Sequence, residues 1–195
     1  MSANWQFEGG ANPYTETATG LQPNTAAVLV ATLNGIELGN AVATIKFLTG
    51  TAVPSLGVIM RRSGPNNMAT DFFYFSYLET GNLELRFRSG NAYTTINNAT
   101  LTFANAGPGG SGGPANATPY WFRAYAIGAT LGFEIWDIDP DSDAALSHQP
   151  RWSLVTSDPG RAPAFGEWGF LLVPQSANDA ERVQSFKLQR ISALR

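Results

Sequence analysis

Short apolar runs that alternate with polar residues recur along this chain between clusters of Gly, Pro, Asn and Asp, whereas apolar positions at helical spacing are scarce. The runs predict nine strands: AVLVATL (27–33), AVATIKFL (41–48), LGVIMRR (56–62), DFFYFSYL (71–78), LELRFRS (83–89), YWFRAYAI (120–127), TLGFEIWD (130–137), EWGFLLV (167–173) and VQSFKLQRI (183–191). Nine strands suit two packed sheets in an all-β sandwich. Two antiparallel hairpins stand out, Tyr74 to Arg88 through ETGN and Tyr120 to Trp136 through GA, where glycine supplies the positive φ of a tight turn. The stretch ANAGPGGSGGPANATP (104–119) reads as a loop and not a phosphate loop, because no Gly-Lys-Ser/Thr follows it.

Alternation also assigns faces. Leu83, Leu85 and Phe87 point one way and Glu84, Arg86 and Arg88 the other. Likewise Phe122, Ala124 and Ala126, with Leu131, Phe133 and Ile135, are expected in the core, which turns Trp121, Arg123, Tyr125, Glu134 and Trp136 outward. Arg86, Arg88, Trp121, Arg123, Tyr125 and Trp136 form the candidate binding face. Aromatic rings stack on sugars or on arginine, and guanidinium forks bond carboxylates or hydroxyls. The same residues also suit cross-strand pairs that only stabilise the sheet, or a contact between subunits.

At 195 residues the chain is long enough for one well-buried domain. Cysteine is absent, which excludes disulfides, thiolate metal sites and cysteine nucleophiles. A net charge of −3, with ten arginines but only Lys46 and Lys187, offers no polybasic stripe for nucleic acid. The start MSANWQFEGGANPYTE has neither the basic nor the apolar part of a secretory leader, and no apolar stretch approaches the roughly 20 residues of a membrane span. The expectation is a soluble protein without membrane insertion, and the sequons at Asn98 and Asn116 then carry little weight. Residues 1–24 read as an extended arm whose Trp5, Phe7 and Tyr14 would dock on a neighbouring subunit.

Taken in order, the strands from residue 25 to 195 resemble the concanavalin A-like lectin/glucanase superfamily, in particular its laminin G-like jelly rolls. The carriers are GVIMRRSG (57–64), FFYFSYLETGNLELRFRSG (72–90) and YWFRAYAIGATLGFEIW (120–136), followed by Trp152, GEWGF (166–170), Phe186 and Leu188. The resemblance implies a two-sheet antiparallel jelly-roll sandwich. Its members include sugar-binding lectins, glucan hydrolases, adhesive modules and structural proteins of tailed-phage virions, and fold alone does not choose among them.

Glucan-hydrolysing relatives place carboxylates on alternate residues of one strand, because a retaining mechanism needs its carboxyls about 5 Å apart. Here Glu134 shares a face with Trp136, while Asp137 and Asp139 point the other way until Pro140 ends the strand. The parity is wrong for a catalytic pair. His148, the single histidine, has no nucleophile elbow to serve. The run Asp137, Asp139, Asp141, Asp143 resembles the first half of a calcium loop, but Ser142 stands where the sharp-turn glycine belongs and His148 where the bidentate glutamate belongs. A solvated turn is expected there, with a looser calcium site as the alternative and no other cofactor.

These features lead to a non-enzymatic structural or adhesion module. The leading expectation is a bacteriophage virion protein, a capsid decoration or tail component, bound to copies of itself and to other virion proteins. Its location is then the virion, or otherwise the cytoplasm. The alternative is a carbohydrate-binding lectin whose partners are cell-surface glycans, and a glycoside hydrolase comes third.

Overall fold

The computed structural model describes residues 5–7, 14–18, 20–25, 29–48, 55–63, 72–77, 82–89, 92–100, 119–150, 152–157, 164–173 and 182–192. The strands are β1 (Trp5–Phe7), β2 (Tyr14–Thr17), β3 (Gly20–Pro23), β4 (Leu29–Leu38), β5 (Ala41–Leu48), β6 (Ser55–Arg62), β7 (Phe72–Tyr77), β8 (Asn82–Ser89), β9 (Ala92–Thr100), β10 (Pro119–Ile127), β11 (Thr130–Trp136), β12 (Trp152–Ser157), β13 (Gly166–Val173) and β14 (Arg182–Arg190). They form two seven-stranded antiparallel sheets, ordered β1-β4-β13-β6-β7-β8-β9 and β12-β11-β10-β5-β14-β3-β2. All nine expected strands are present, and both expected hairpins pair antiparallel, β7 with β8 and β10 with β11. In the second hairpin Gly128 takes φ 57, the left-handed conformation that the turn requires. The Gly/Pro-rich loop of 104–118, the sequon at Asn116 and the ETGN turn lie outside the described residues.

Alternation fills the space between the sheets. Val58, Met60, Phe73, Phe75, Leu85, Trp168, Phe170 and Leu172 from the first sheet meet Ala43, Ile45, Phe47, Phe122, Ala124, Leu131, Phe133 and Ile135 from the second. Phe75 stacks on Phe133 with ring centroids 5.1 Å apart, across the two layers. Small residues on β5 and β10, Ala41, Ala43, Ala124 and Ala126, leave room for the larger rings opposite.

The N-terminal segment departs from its expected role. Trp5 lies 5.0 Å from Phe170 and 5.1 Å from Phe186, Phe7 lies 5.6 Å from Tyr14, and Tyr14 lies 5.6 Å from Phe170. The three rings therefore pack against the molecule's own core. The physical reason is that β1 hydrogen-bonds to β4 of the first sheet while β2 and β3 complete the other end of the second. β1 in one sheet and β2 and β3 in the other serve both layers, and the aromatics of β1 and β2 bury apolar area between them. β1, β2 and β3 are thus strands of the two sheets.

One irregularity changes the parity of β6. Met60 and Arg61 together oppose Trp168 alone, and Arg61 takes φ 53. This bulge turns Arg62 to the outer face of the first sheet, beside Thr32 and opposite Glu167 in register. There Thr32 Oγ1 donates to Glu167 Oε2 at 2.8 Å, Arg62 Nη1 donates to Thr32 Oγ1 at 3.2 Å, and Gln6 Nε2 donates to the Glu167 carboxylate. Thr32, Arg62 and Glu167 are all buried, so this polar group must satisfy itself.

Tyr74 shares that outer face and is buried with Val30, Ile59 and Leu171. Burial pushes its phenol above the ordinary value of 10.0, and a hydrogen bond with Arg86 offsets part of the rise. A folded-state pKa above the unfolded one gives stability that is present below about pH 10 and lost as the pH climbs through the folded value. Urea midpoints measured at about pH 9 and about pH 11 should therefore drop less for Tyr74→Phe than for the parent. Equal drops would contradict the assignment.

Candidate functional site

One end of the sandwich is built from chain reversals that are tied together. The β4–β5 turn at Gly39–Asn40 meets the β10–β11 turn, where Asn40 Oδ1 accepts the Gly128 N–H at 2.8 Å. Arg61, released from the sheet by its bulge, donates from Nε to the Gly39 carbonyl at 2.9 Å and from Nη2 to the Gly128 carbonyl at 2.8 Å. Trp168 Nε1 donates to the Leu38 carbonyl at 2.9 Å, and the Ile191 N–H bonds the Asn40 carbonyl at 3.0 Å. Five elements, the β4–β5 and β10–β11 turns, β6, β13 and the end of β14, are thus tied together at one rim.

They enclose an open cavity of about 700 Å³, within the range of small-ligand sites. Its lining combines Glu37, Asn40, Phe165, Arg190 and Ser192. Phe165 is 61 % exposed, an aromatic face turned to water beside a polar hollow. Glu37 and Arg190 have no ion pair or hydrogen bond among the described residues, so an acceptor and a fork of donors remain available. With Asn40 Oδ1 committed to Gly128, its amide N–H groups add further donors. An apolar ring face flanked by one acceptor and several donors matches a sugar, which presents C–H groups on one side and hydroxyls at its edge.

None of these residues stands out in the sequence as a binding group. Glu37 and Asn40 sit in an ordinary turn signal, and Phe165 and Arg190 are more than twenty residues apart. The one available hint is RAPAFGEW (161–168), where a lone phenylalanine follows a proline before a strand.

The candidate face read from strand alternation divides between two sheets. Arg86 and Arg88 lie on β8 in the first sheet, while Trp121, Arg123, Tyr125 and Trp136 lie on β10 and β11 in the second. All six point outward as expected, but from opposite sides of the sandwich, so they do not make one surface. Arg86 pairs with Glu84, and Arg88, only 2 % exposed, holds its guanidinium 5.4 Å from the centre of the Tyr93 ring. On the second sheet Lys46 Nζ sits 5.0 Å over the Trp121 ring, Trp136 Nε1 donates to Glu134 Oε2 at 2.9 Å, and Arg123 lies 4.0 Å from the same carboxylate. Pairing across strands, and between alternate residues of one strand, accounts for these contacts. Tyr125 differs, because its ring lies flat on Gly132, where an added Cβ would meet Cζ at 1.9 Å. Burial, then the Glu134 carboxylate, push its phenol up, and Arg123 offsets part of this.

The acidic stretch after β11 is a self-bonded turn that leads into a short 3-10 helix at Asp143–Ser147. The Asp139 carbonyl accepts from the Ser142 N–H and hydroxyl, and Asp139 Oδ1 accepts the Asp141 N–H at 3.0 Å. Asp141 reaches Lys187 Nζ at 2.7 Å. Lys187 belongs to β14, three strands from β11, so the turn crosses β10 and β5 as a strap over the outer face. Beneath it Trp136 is 7 % exposed and Thr44 5 %. Asp137, Asp139, Asp141 and Asp143 do not converge, and no group of three metal-binding side chains occurs among the described residues. His148 Nδ1 is 2.7 Å from the Ala144 carbonyl, so this nitrogen carries the proton and cannot take one from Ser147.

No family model matches the sequence, and no curated protein matches it. Solved structures do match. The chain is similar to the carbohydrate-binding module CBM66 from Bacillus subtilis, with 10 % identity, a TM-score of 0.66 and 95 % of each chain covered. It is also similar to the VIP36 exoplasmic/lumenal domain in its Ca²⁺ and Man3GlcNAc-bound form, with 12 % identity, a TM-score of 0.64, 98 % of this chain and 87 % of that one. A third is a Bacillus subtilis protein of unknown function with a galectin-like fold, at 12 % identity and a TM-score of 0.63, covering 95 % of this chain and 89 % of that one. At such identities the likeness shows the fold alone. The protein is a two-sheet antiparallel jelly-roll sandwich.

Proposed function

We propose that this protein is a non-enzymatic carbohydrate-binding module, with its sugar site in the rim cavity between the β4–β5 turn, Ala164–Phe165 and the end of β14. The observation that carries this reading is the exposed Phe165 ring beside Glu37 and Arg190, both without partners among the described residues, in a hollow of about 700 Å³. Glycan-binding neighbours in fold support it. Glu37 is the one carboxylate among the described residues lining the cavity, whereas glycoside hydrolysis normally uses two. Carbohydrate binding replaces virion assembly as the leading reading. Trp5, Phe7 and Tyr14 pack against the protein's own core.

A glycan array with the purified protein tests this directly. Phe165→Ala should weaken binding to whichever glycan is captured by about tenfold, the worth of one ring stack. Because the ring is exposed, stability should change by no more than about 0.5 kcal/mol. An array without signal, or a Phe165→Ala variant that binds like the parent, would overturn the proposal.

A further inference from the structure

Beside the rim, the outer face of the second sheet carries a row of residues in register across five strands: Gln189, Val42, Tyr125, Gly132 and Val155, on β14, β5, β10, β11 and β12. The row starts one residue from Arg190 of the cavity and spans four strand spacings, about 19 Å. Its centre is the Tyr125 ring, which lies flat because Gly132 offers no side chain beneath it. Its far end is Val155, 57 % exposed, and between ring and rim stands Ile127, 46 % exposed. An apolar shelf of this length open to water is unusual for a surface made only to be solvated.

Charge defines what the shelf can take. In the adjoining row the charged side chains are already paired, Arg123 with Glu134 and Lys187 with Asp141. Beyond them the strap, with Asp139 and Asp143 exposed, stands as an acidic wall. Uncharged C–H faces can stack on Tyr125 and pass over Ile127 and Val155, while Gln189 offers an amide to hydroxyls. An anionic chain would meet the acidic wall at close range.

We infer that the shelf is an extension of the sugar site, so that the protein binds the interior of an extended neutral glycan chain running from the rim cavity across β5, β10 and β11 to β12. This inference rests on the rim cavity being the sugar site. The ring lies over Gly132, and Gln189 of the row is the chain neighbour of Arg190 in the cavity lining.

The test begins with immobilised laminarin, mannan, xylan, levan and cellulose. Oligosaccharides of two and six residues are then prepared from the polysaccharide bound most strongly and titrated calorimetrically. The hexasaccharide should bind about tenfold more tightly than the disaccharide, from one further ring stack. Tyr125→Ala should abolish that gain and leave disaccharide affinity unchanged, whereas Tyr125→Phe should keep it. Val155→Asp, at an exposed position, should weaken the hexasaccharide alone. Equal affinities for the two lengths, or a Tyr125→Ala variant that keeps the gain, would overturn the shelf while leaving the cavity intact. Absence of binding to every polysaccharide, or disaccharide binding indifferent to Phe165→Ala, would overturn the cavity and the shelf with it.

Discussion

Trp168→Ala is expected to lose about 3–5 kcal/mol of stability, the range for deleting a fully buried aromatic. Trp168 is the largest of the fully buried side chains, packed between the sheets with Phe170 and Leu172 on β13. Its removal leaves a cavity that the surrounding strands cannot collapse into without breaking ladder bonds on both sides. It also takes away the donor to the Leu38 carbonyl, which helps to fix the β4–β5 turn at the rim. For a domain of this size the loss should lower the melting temperature by roughly 6–20 °C. Trp168→Phe should restore most of the packing but not the hydrogen bond, and so should fall between parent and alanine variant. Chemical denaturation of the three proteins measures this order. Alanine within about 1 kcal/mol of the parent would show that the ring is not the keystone of the core.

Glu167→Leu should be as damaging for a different reason. The carboxylate accepts hydrogen bonds from Gln6 and Thr32 and stands opposite Arg62 in register, all on a buried part of the first sheet. Without it Thr32 and Gln6 lose the acceptor to which they donate, and each buried donor left unsatisfied typically costs about 1–3 kcal/mol. Removing the arginine as well leaves one buried ion fewer on that face, while Thr32 and Gln6 stay without the carboxylate. Arg62→Leu combined with Glu167→Leu should therefore recover part of the loss of Glu167→Leu alone. Unfolding free energies for the two single variants and the double variant give the coupling. A double variant no better than the worse single would refute it.

Much of the architecture can be read from the chain. Period-two alternation in LELRFRS, YWFRAYAI and TLGFEIW assigns the buried and outward sides of β8, β10 and β11 without any structure, since adjacent side chains on a strand must point apart. β1 to β3 escape notice because they are three or four residues long, and β9, AYTTINNAT, because it is mostly polar at a sheet edge. The direction of Arg62 also escapes it, because a bulge at Arg61 reverses the parity that alternation would assign. Such a shift depends on what lies across the ladder.

The acidic run shows where local reasoning stops. That Asp137, Asp139, Asp141 and Asp143 lack the glycine and glutamate of a calcium loop, and the parity of a catalytic pair, can be read from their neighbours in sequence. That Asp141 ends on Lys187 cannot, because the two are 46 residues apart and meet only when β14 is placed three strands from β11.

The sequence by itself determined the all-β class, the positions of nine strands, two hairpins and the side to which their residues point, because these depend on dihedral preference and on the period of side-chain direction. Tertiary structure alone decided which sheet each strand joins. It thereby sent Arg86 and Arg88 to the opposite side from Trp121 and Tyr125, drew Trp5, Phe7 and Tyr14 into the core, and brought Glu37, Phe165 and Arg190 around one cavity. The physical reason is that sheet membership is fixed by hydrogen bonding and burial between distant segments, and no local pattern carries that information.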